Sequence, residues 1–200
     1  MSNMSKLADK INIDEKYSQI IPCNRAFVLG EGNVDSPIVF IGEAPGGEEE
    51  KLLHPFVGKA GKNLNEFLDE IHLLRQDVYI TNAVKFRPTK ENPATKRESN
   101  RTPTTAEILL YRDWLIEELK VISPKLVVTL GNTPLFSLTG DKELKITACH
   151  GQLLEHSLDG VSFKLMPFYH PAAIIYRREL ADVFRQDMQQ LGRIYAQLDV

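Results

Sequence analysis

Apolar residues fall into short runs along this chain, and Ile38-Val39-Phe40-Ile41 is the most informative of them. It ends in Gly42-Glu43-Ala44-Pro45-Gly46, so it reads as a buried strand that delivers a stiff turn to one end of a sheet. Phe27 to Leu29 reads as a shorter strand ahead of the turn Gly30-Glu31-Gly32-Asn33. Val78 to Val84 is β-branched and aromatic and makes the second core strand, and Leu126 to Leu130, ended by Gly131-Asn132, the third. Gln152–Glu155 and Val161–Phe168 form a hairpin around Asp159-Gly160, its second strand joining the sheet.

Between these runs the period changes to that of a helix. Leu64, Phe67, Leu68 and Ile71 fall at the i, i+3, i+4, i+7 spacing of one buried face and predict a helix over Gly61–Leu74. Thr104 caps a helix over residues 105–122, whose stripe is Ile108, Tyr111, Leu115 and Leu119. A short helix over Thr133–Thr139 and a closing amphipathic helix over residues 178–198 complete the pattern, and Pro88 to Pro103 is a polar connection. Alternating strands and helices predict an α/β fold with a largely parallel sheet covered on both faces. No repeat is present, and 200 residues suit a single domain over 1–200 with a polar leader over 1–20.

Composition changes this picture little; charge distribution changes it more. Apolar residues at 42% and charged ones at 26% are ordinary for a soluble globular protein. The net charge of −3 excludes a protein that coats nucleic acid by global charge. Between Lys85 and Arg101, however, lie Lys85, Arg87, Lys90, Lys96, Arg97 and Arg101 against only Glu91 and Glu98. A local basic segment on an acidic body suits contact with a phosphate backbone at one place, and equally suits a solvated loop. Cys23 and Cys149, the only cysteines, form no disulfide framework and no zinc spacing. Without an apolar signal core or a run of membrane-spanning length, the expected location is the cytoplasm.

In open α/β sheets ligands bind beyond the carboxyl ends of the strands. Glu43 follows the first core strand, Asn82 sits near the end of the second, and His170 follows Val161–Phe168 in Tyr169-His170-Pro171-Ala172. Phe56 lies in the loop His54-Pro55-Phe56-Val57-Gly58-Lys59-Ala60-Gly61. Each has a plainer reading alone: a solvated carboxylate, an amide at a fraying strand end, a turn cap, a core phenyl. Parallel strands bring all four into one crevice.

With Glu49, Tyr79-Ile80-Thr81-Asn82-Ala83-Val84-Lys85 and His170-Pro171-Ala172-Ala173, these motifs resemble the family-four uracil-DNA glycosylases. Gly30-Glu31-Gly32-Asn33, Asn100-Arg101-Thr102-Pro103 and Leu130-Gly131 also match that family in order, and the resemblance runs from about Arg25 to about Arg178. It implies a three-layer α/β/α sandwich around a four-stranded parallel sheet, and removal of a flipped uracil from DNA by hydrolysis of its N-glycosidic bond. Phe56 would stack on the base, Asn82 would pair with its edge, His170 would donate to O2 of the leaving uracil, and Glu43 would activate water. Ala44, Gly46 and Glu49 would line the pocket, Glu49 near the 5-position. Lys85, Arg87, Lys96, Arg97 and Arg101 would meet DNA, as would Ile174, within a wedge Ile174-Ile175-Tyr176, and Arg177 beside it. The partner would be uracil-containing DNA, single- or double-stranded, with no membrane, and the chain a monomer.

The family usually holds a [4Fe–4S] cluster through four cysteines. Here Cys23 is the one candidate in the N-terminal cluster, Phe86 stands at the third position, the fourth falls near Tyr111, and Cys149 lies outside the pattern. The expectation is a variant without cofactor or metal, in which Phe86, Tyr111 and their neighbours fill the volume by apolar contact. Two other readings stay open: a catalytically silent DNA-binding or uracil-recognising protein on the same fold, and hydrolysis of a small nucleoside.

Overall fold

The computed structural model describes residues 25–198, so the polar leader and Cys23 lie outside the described residues. The chain runs through β1 (Glu31–Gly32), β2 (Ile38–Gly42), α1 (Gly47–Leu52), α2 (Lys59–Glu70) and β3 (Tyr79–Asn82). A hairpin of β4 (Thr89–Glu91) and β5 (Glu98–Asn100) leads into α3 (Thr105–Ile122), β6 (Leu126–Leu130), α4 (Asn132–Thr139) and α5 (Ile146–Cys149). Then follow β7 (Leu154–Leu158), β8 (Val161–Phe168), α6 (Pro171–Tyr176) and α7 (Leu180–Tyr195).

The main sheet has the order β1-β3-β2-β6-β8-β7. Its inner strands β3, β2, β6 and β8 pair in parallel, while β1 and β7 pair antiparallel at the two edges. The expected four-stranded parallel sheet is therefore a six-stranded mixed one. The hairpin β7–β8 adds an edge because a tight turn can only return antiparallel. The other edge is β1, in the turn that was expected to follow a strand at Phe27–Leu29. That segment makes no ladder: Val28 donates one main-chain bond to Lys85 O (2.7 Å), and Phe27 and Leu29 pack on an aromatic cluster instead. The predicted helix Gly61–Leu74 also ends earlier, at Glu70, because His72 turns into the left-handed region at φ 59°.

Side chains of β2 alternate between two cores, as a period of two requires. Ile38 and Phe40 meet Leu64, Phe67 and Leu68 of α2 and Phe184, Met188 and Leu191 of α7. Val39 and Ile41 meet Leu115 and Leu119 of α3 and Leu135 and Leu138 of α4. Helices thus cover both faces. Each such fully buried side chain contributes about 1.5–3 kcal/mol, so these two interfaces fix the sheet. At the start of α3, Thr104 caps the helix as the sequence predicts, its Oγ1 accepting from Glu107 N (3.2 Å), and the Glu107 carboxylate adds a reciprocal bond by accepting from Thr104 N (2.7 Å). Among the described residues no helix is long and apolar enough to cross a membrane.

Register decides where function can sit. Gly42 lies opposite Asn82 in the β2–β3 ladder, and Leu130 opposite Phe168 in β6–β8. The carboxyl ends of the inner strands therefore stand level, and the loops leaving them share one edge.

Candidate active site

At that edge is a cavity of about 710 Å³ whose lining includes Glu43, Phe56, Asn82, Thr133, Tyr169 and His170. Its floor depends on Gly42. A Cβ there would approach Asn82 Oδ1 and the Phe56 ring tip to 2.5 Å, so only a bare α-carbon lets that ring and that amide close over the strand end. The Phe56 backbone is itself constrained, at φ 55°. Arg75 donates to the carbonyl of Pro55 (2.6 Å), and Gly61 presses so close to the Phe56 carbonyl that any side chain there would collide with it. Asn82 is buried, and the chain beyond it is stitched to the neighbouring turn: Ala83 N donates to Gly42 O (2.9 Å) and Val84 N to Glu43 O (3.1 Å).

Glu43 accepts a 2.6 Å hydrogen bond from Thr133 Oγ1. Burial pushes its carboxyl above the ordinary value, and the Thr133 bond works against that rise by stabilising the carboxylate. Thr133 was not among the expected site residues. The signal was present, since Thr133 follows a strand-ending Gly131-Asn132 much as Glu43 follows Ile41. Replacing Thr133 with valine removes the donor at nearly constant shape. The acid limb of activity should then move to higher pH with the fold intact, as a pH–rate profile would read; an unmoved limb would separate Thr133 from the chemistry.

His170 is the N-cap of α6, and its Nδ1 accepts from Ala172 N (3.1 Å). That bond leaves Nε2 as the nitrogen carrying the proton in the neutral ring. Desolvation lowers the pKa of His170 from 6.5 to about 4, with the negative charge of Glu49 opposing it. The imidazole is thus a neutral donor at physiological pH. Its ring lies 5.9 Å from that of Phe56, tilted by 28°. Glu49 joins the two motif loops: its carboxylate accepts from Gly58 N (2.8 Å) and Gly46 N (3.1 Å). Glu49, Ala44 and Gly46 all border the cavity, and both Glu49 oxygens are engaged by main-chain amides.

The basic residues do not form one surface. Lys85, expected at DNA, is wholly buried and paired with Glu118, because its chain continues β3 inward beneath the aromatic cluster. Arg87 bonds Glu50 and Asn100, and Arg101 grips Glu107 with two nitrogens. With Arg25, which bonds Glu50, Thr89 and Glu98, they fasten the β4–β5 hairpin beside the cavity. The polar connection is therefore an anchored arm, exposing Lys90, Lys96 and Arg97. Lys96 reaches Glu91 (3.1 Å) within it. In α6, Ile174 turns inward onto the core, contrary to its expected place at DNA. Ile175 is 41% exposed and Tyr176 86% exposed, so the apolar tip of that helix is Tyr176. Arg177, exposed, bonds Glu179 (3.0 Å).

A parallel sheet core with its crevice at the strand ends, floored by a phenyl and an amide and flanked by a carboxylate and a neutral imidazole, defines a class that comparison bears out. Residues 29–192 match the model of the Uracil DNA glycosylase superfamily, and the chain belongs to that family. Within it, the chain is similar to the Type-4 uracil-DNA glycosylases. It is 35% identical to that of Archaeoglobus fulgidus over 92% of this chain and 93% of the relative. It is 39% identical to that of Thermotoga maritima over 82% and 80%, and 34% identical to that of Saccharolobus solfataricus over 96% and 86%.

The iron–sulfur cluster that the resemblance brings with it does not fit these residues. Phe86 and Tyr111 are buried with ring centres 5.8 Å apart, in a cluster with Val84, Ile108, Trp114 and Phe27. Among the described residues no three His, Cys, Asp or Glu side chains are grouped to hold a metal. Cys149 is buried in a separate cluster, with Leu135, Leu138 and Leu165, where desolvation pushes its thiol up and disfavours the thiolate a cluster needs. Two cysteines in the whole chain cannot supply four thiolates.

Proposed function

We propose that this cavity receives uracil flipped from DNA and that Phe56, Asn82, Glu43 and His170 cleave its bond to deoxyribose. The observation that carries the reading is their convergence on one cavity at the level strand ends, beside a tethered basic arm. Phe56 offers a π-face to the base, an interaction worth about 1–3 kcal/mol. The Asn82 amide accepts from N3–H and donates to O4. Cytosine presents the opposite pattern, so it would leave buried polar groups unpaired.

As the N1–C1′ bond breaks, its electron pair passes to the base and negative charge collects on O2. His170 Nε2–H donates to that oxygen, and the ring need not gain or lose a proton to do so. Water adds to C1′, and Glu43 takes its proton. The carboxylate also favours the cationic sugar electrostatically. Glu49, fixed between Gly46 and Gly58, keeps the two pocket loops together.

DNA approaches across the hairpin and α6. Lys90, Lys96 and Arg97 meet phosphates, and Tyr176 fills the gap left in the stack. Replacing these three basic residues with glutamine should weaken DNA binding and flatten its salt dependence by up to about three units of slope. An unchanged slope would move DNA to another face.

The deciding experiment is uracil release from a labelled oligonucleotide, single-stranded and paired with G or A, with Glu43→Ala and Asn82→Asp alongside. Alkali-dependent strand cleavage at uracil, weakened in both variants, is the expected result. Asn82→Asp should lose most, since a carboxylate cannot donate to O4. No release with DNA binding intact would make the chain a silent scaffold.

A further inference from the structure

Among the described residues, a fully buried ion pair lies directly behind the proposed base reader, and the chemistry above leaves it unused. Lys85 and Glu118 are both fully buried, and the Lys85 ammonium meets the Glu118 carboxylate. The same ammonium donates to Thr81 Oγ1 (2.6 Å) and to the main-chain carbonyl of Asn82 (2.8 Å). Glu118, on α3, also accepts from Thr81 Oγ1 (3.1 Å) and lies 3.5 Å from the Tyr79 hydroxyl. Every donor of the ammonium is thereby occupied, two of them on the residues that end β3.

We propose that Lys85, held by Glu118, is a positioning residue for base recognition: it fixes the main chain of Asn82 and thereby aims the amide that reads the base. This rests on the reading of Asn82 given above. Stability alone is a poor explanation for the pair. Two desolvated charges are commonly no better than well-packed apolar residues of the same size. Burial drives Lys85 below its ordinary pKa, with Glu118 opposing, so the site carries that desolvation where Leu or Met would carry none.

Geometry supplies the reason to keep it. Asn82 is the last residue of β3, paired with Gly42 at the end of the parallel ladder, and its carbonyl accepts from the buried Lys85 ammonium. A fixed donor beneath that carbonyl sets the peptide plane from which the side chain springs. A shift of about 1 Å in a recognition group costs roughly 100-fold in rate.

The test is Lys85→Met combined with Glu118→Gln, a neutral pair in which the amide oxygen still accepts from Thr81. Thermal unfolding reports the fold, and single-turnover release of uracil and DNA affinity report function. The expected result is a melting temperature close to native, with single-turnover release slowed roughly 10- to 100-fold and DNA affinity within about twofold. Native release rate in this folded variant would overturn the proposal. Where the double variant does not fold, Glu118→Asp keeps the buried charge paired while drawing the carboxylate back from the ammonium by one methylene. It should slow release roughly threefold at unchanged affinity, and a native rate would again overturn the proposal. Asn82→Ala runs in parallel: if it releases uracil normally, the reading of Asn82 has failed instead.

Discussion

Replacing His170 with alanine should lower kcat by about 100- to 1,000-fold while DNA affinity stays near native. That is the usual cost of losing one preorganised donor to a developing oxyanion. Charge appears on O2 only as the glycosidic bond breaks, so a donor placed there acts in the transition state far more than in the bound complex. Equal losses in turnover and binding would remove His170 from that role. The imidazole also predicts the shape of the pH profile. Its folded pKa of about 4 lies below the 6.5 of an ordinary histidine, so protonation favours the unfolded chain. Its contribution to stability is complete above pH 6.5 and is lost as pH falls toward 4, by up to about 3 kcal/mol. The acid limb of activity should be set by Glu43, whose carboxyl burial has raised, and not by the His170 ring, whose pKa burial has lowered. A limb centred near 6.5 that disappears with His170 would mean that the ring titrates normally.

Gly42→Ala should nearly abolish activity while leaving a folded protein. The added methyl would meet Asn82 Oδ1 and the Phe56 ring at 2.5 Å, so one of them must move. Phe56 has little freedom: its backbone is left-handed and its carbonyl is held against Gly61. The shift therefore falls on the ring or on the amide, and either misaligns the base. A loss of roughly 100-fold in kcat/KM follows from a displacement of this size. Overpacking of this kind costs about 1–3 kcal/mol, which in a domain of this length lowers Tm by roughly 2–12 °C and leaves the protein native at room temperature. Near-native kcat/KM in Gly42→Ala would show that Phe56 and Asn82 are not both needed against the strand end.

Much of the candidate site is readable in the sequence. Glu43 and His170 could be placed by one rule, that ligands gather beyond the carboxyl ends of parallel strands, because Gly42 and Pro171 mark those ends locally. Asn82 reads as near the end of a strand expected to reach Val84, and β3 stops at Asn82 itself. Phe56 was readable only through its motif, since a phenyl ring in a loop has no local signature of a platform. The Thr104 cap was legible for the same reason as the strands: the amide it meets lies within one turn.

The sequence by itself determined the α/β order, the buried strands, the strand-end turns and the absence of four cluster thiolates. Periodicity and turn chemistry act over a few residues, and counting cysteines needs no geometry. Only the tertiary structure decided the β1 edge of the sheet, which exists by pairing with β3, whereas the hairpin that forms the β7 edge was marked by Asp159-Gly160. Only it showed that Lys85 is interior, because the carboxylate that meets it lies 33 residues away on α3. The same holds for Thr133 at Glu43, 90 residues apart, and for Tyr176 rather than Ile174 at the exposed tip of α6. A charge in a sequence is read as surface by default; whether it stays there depends on what the fold brings opposite it.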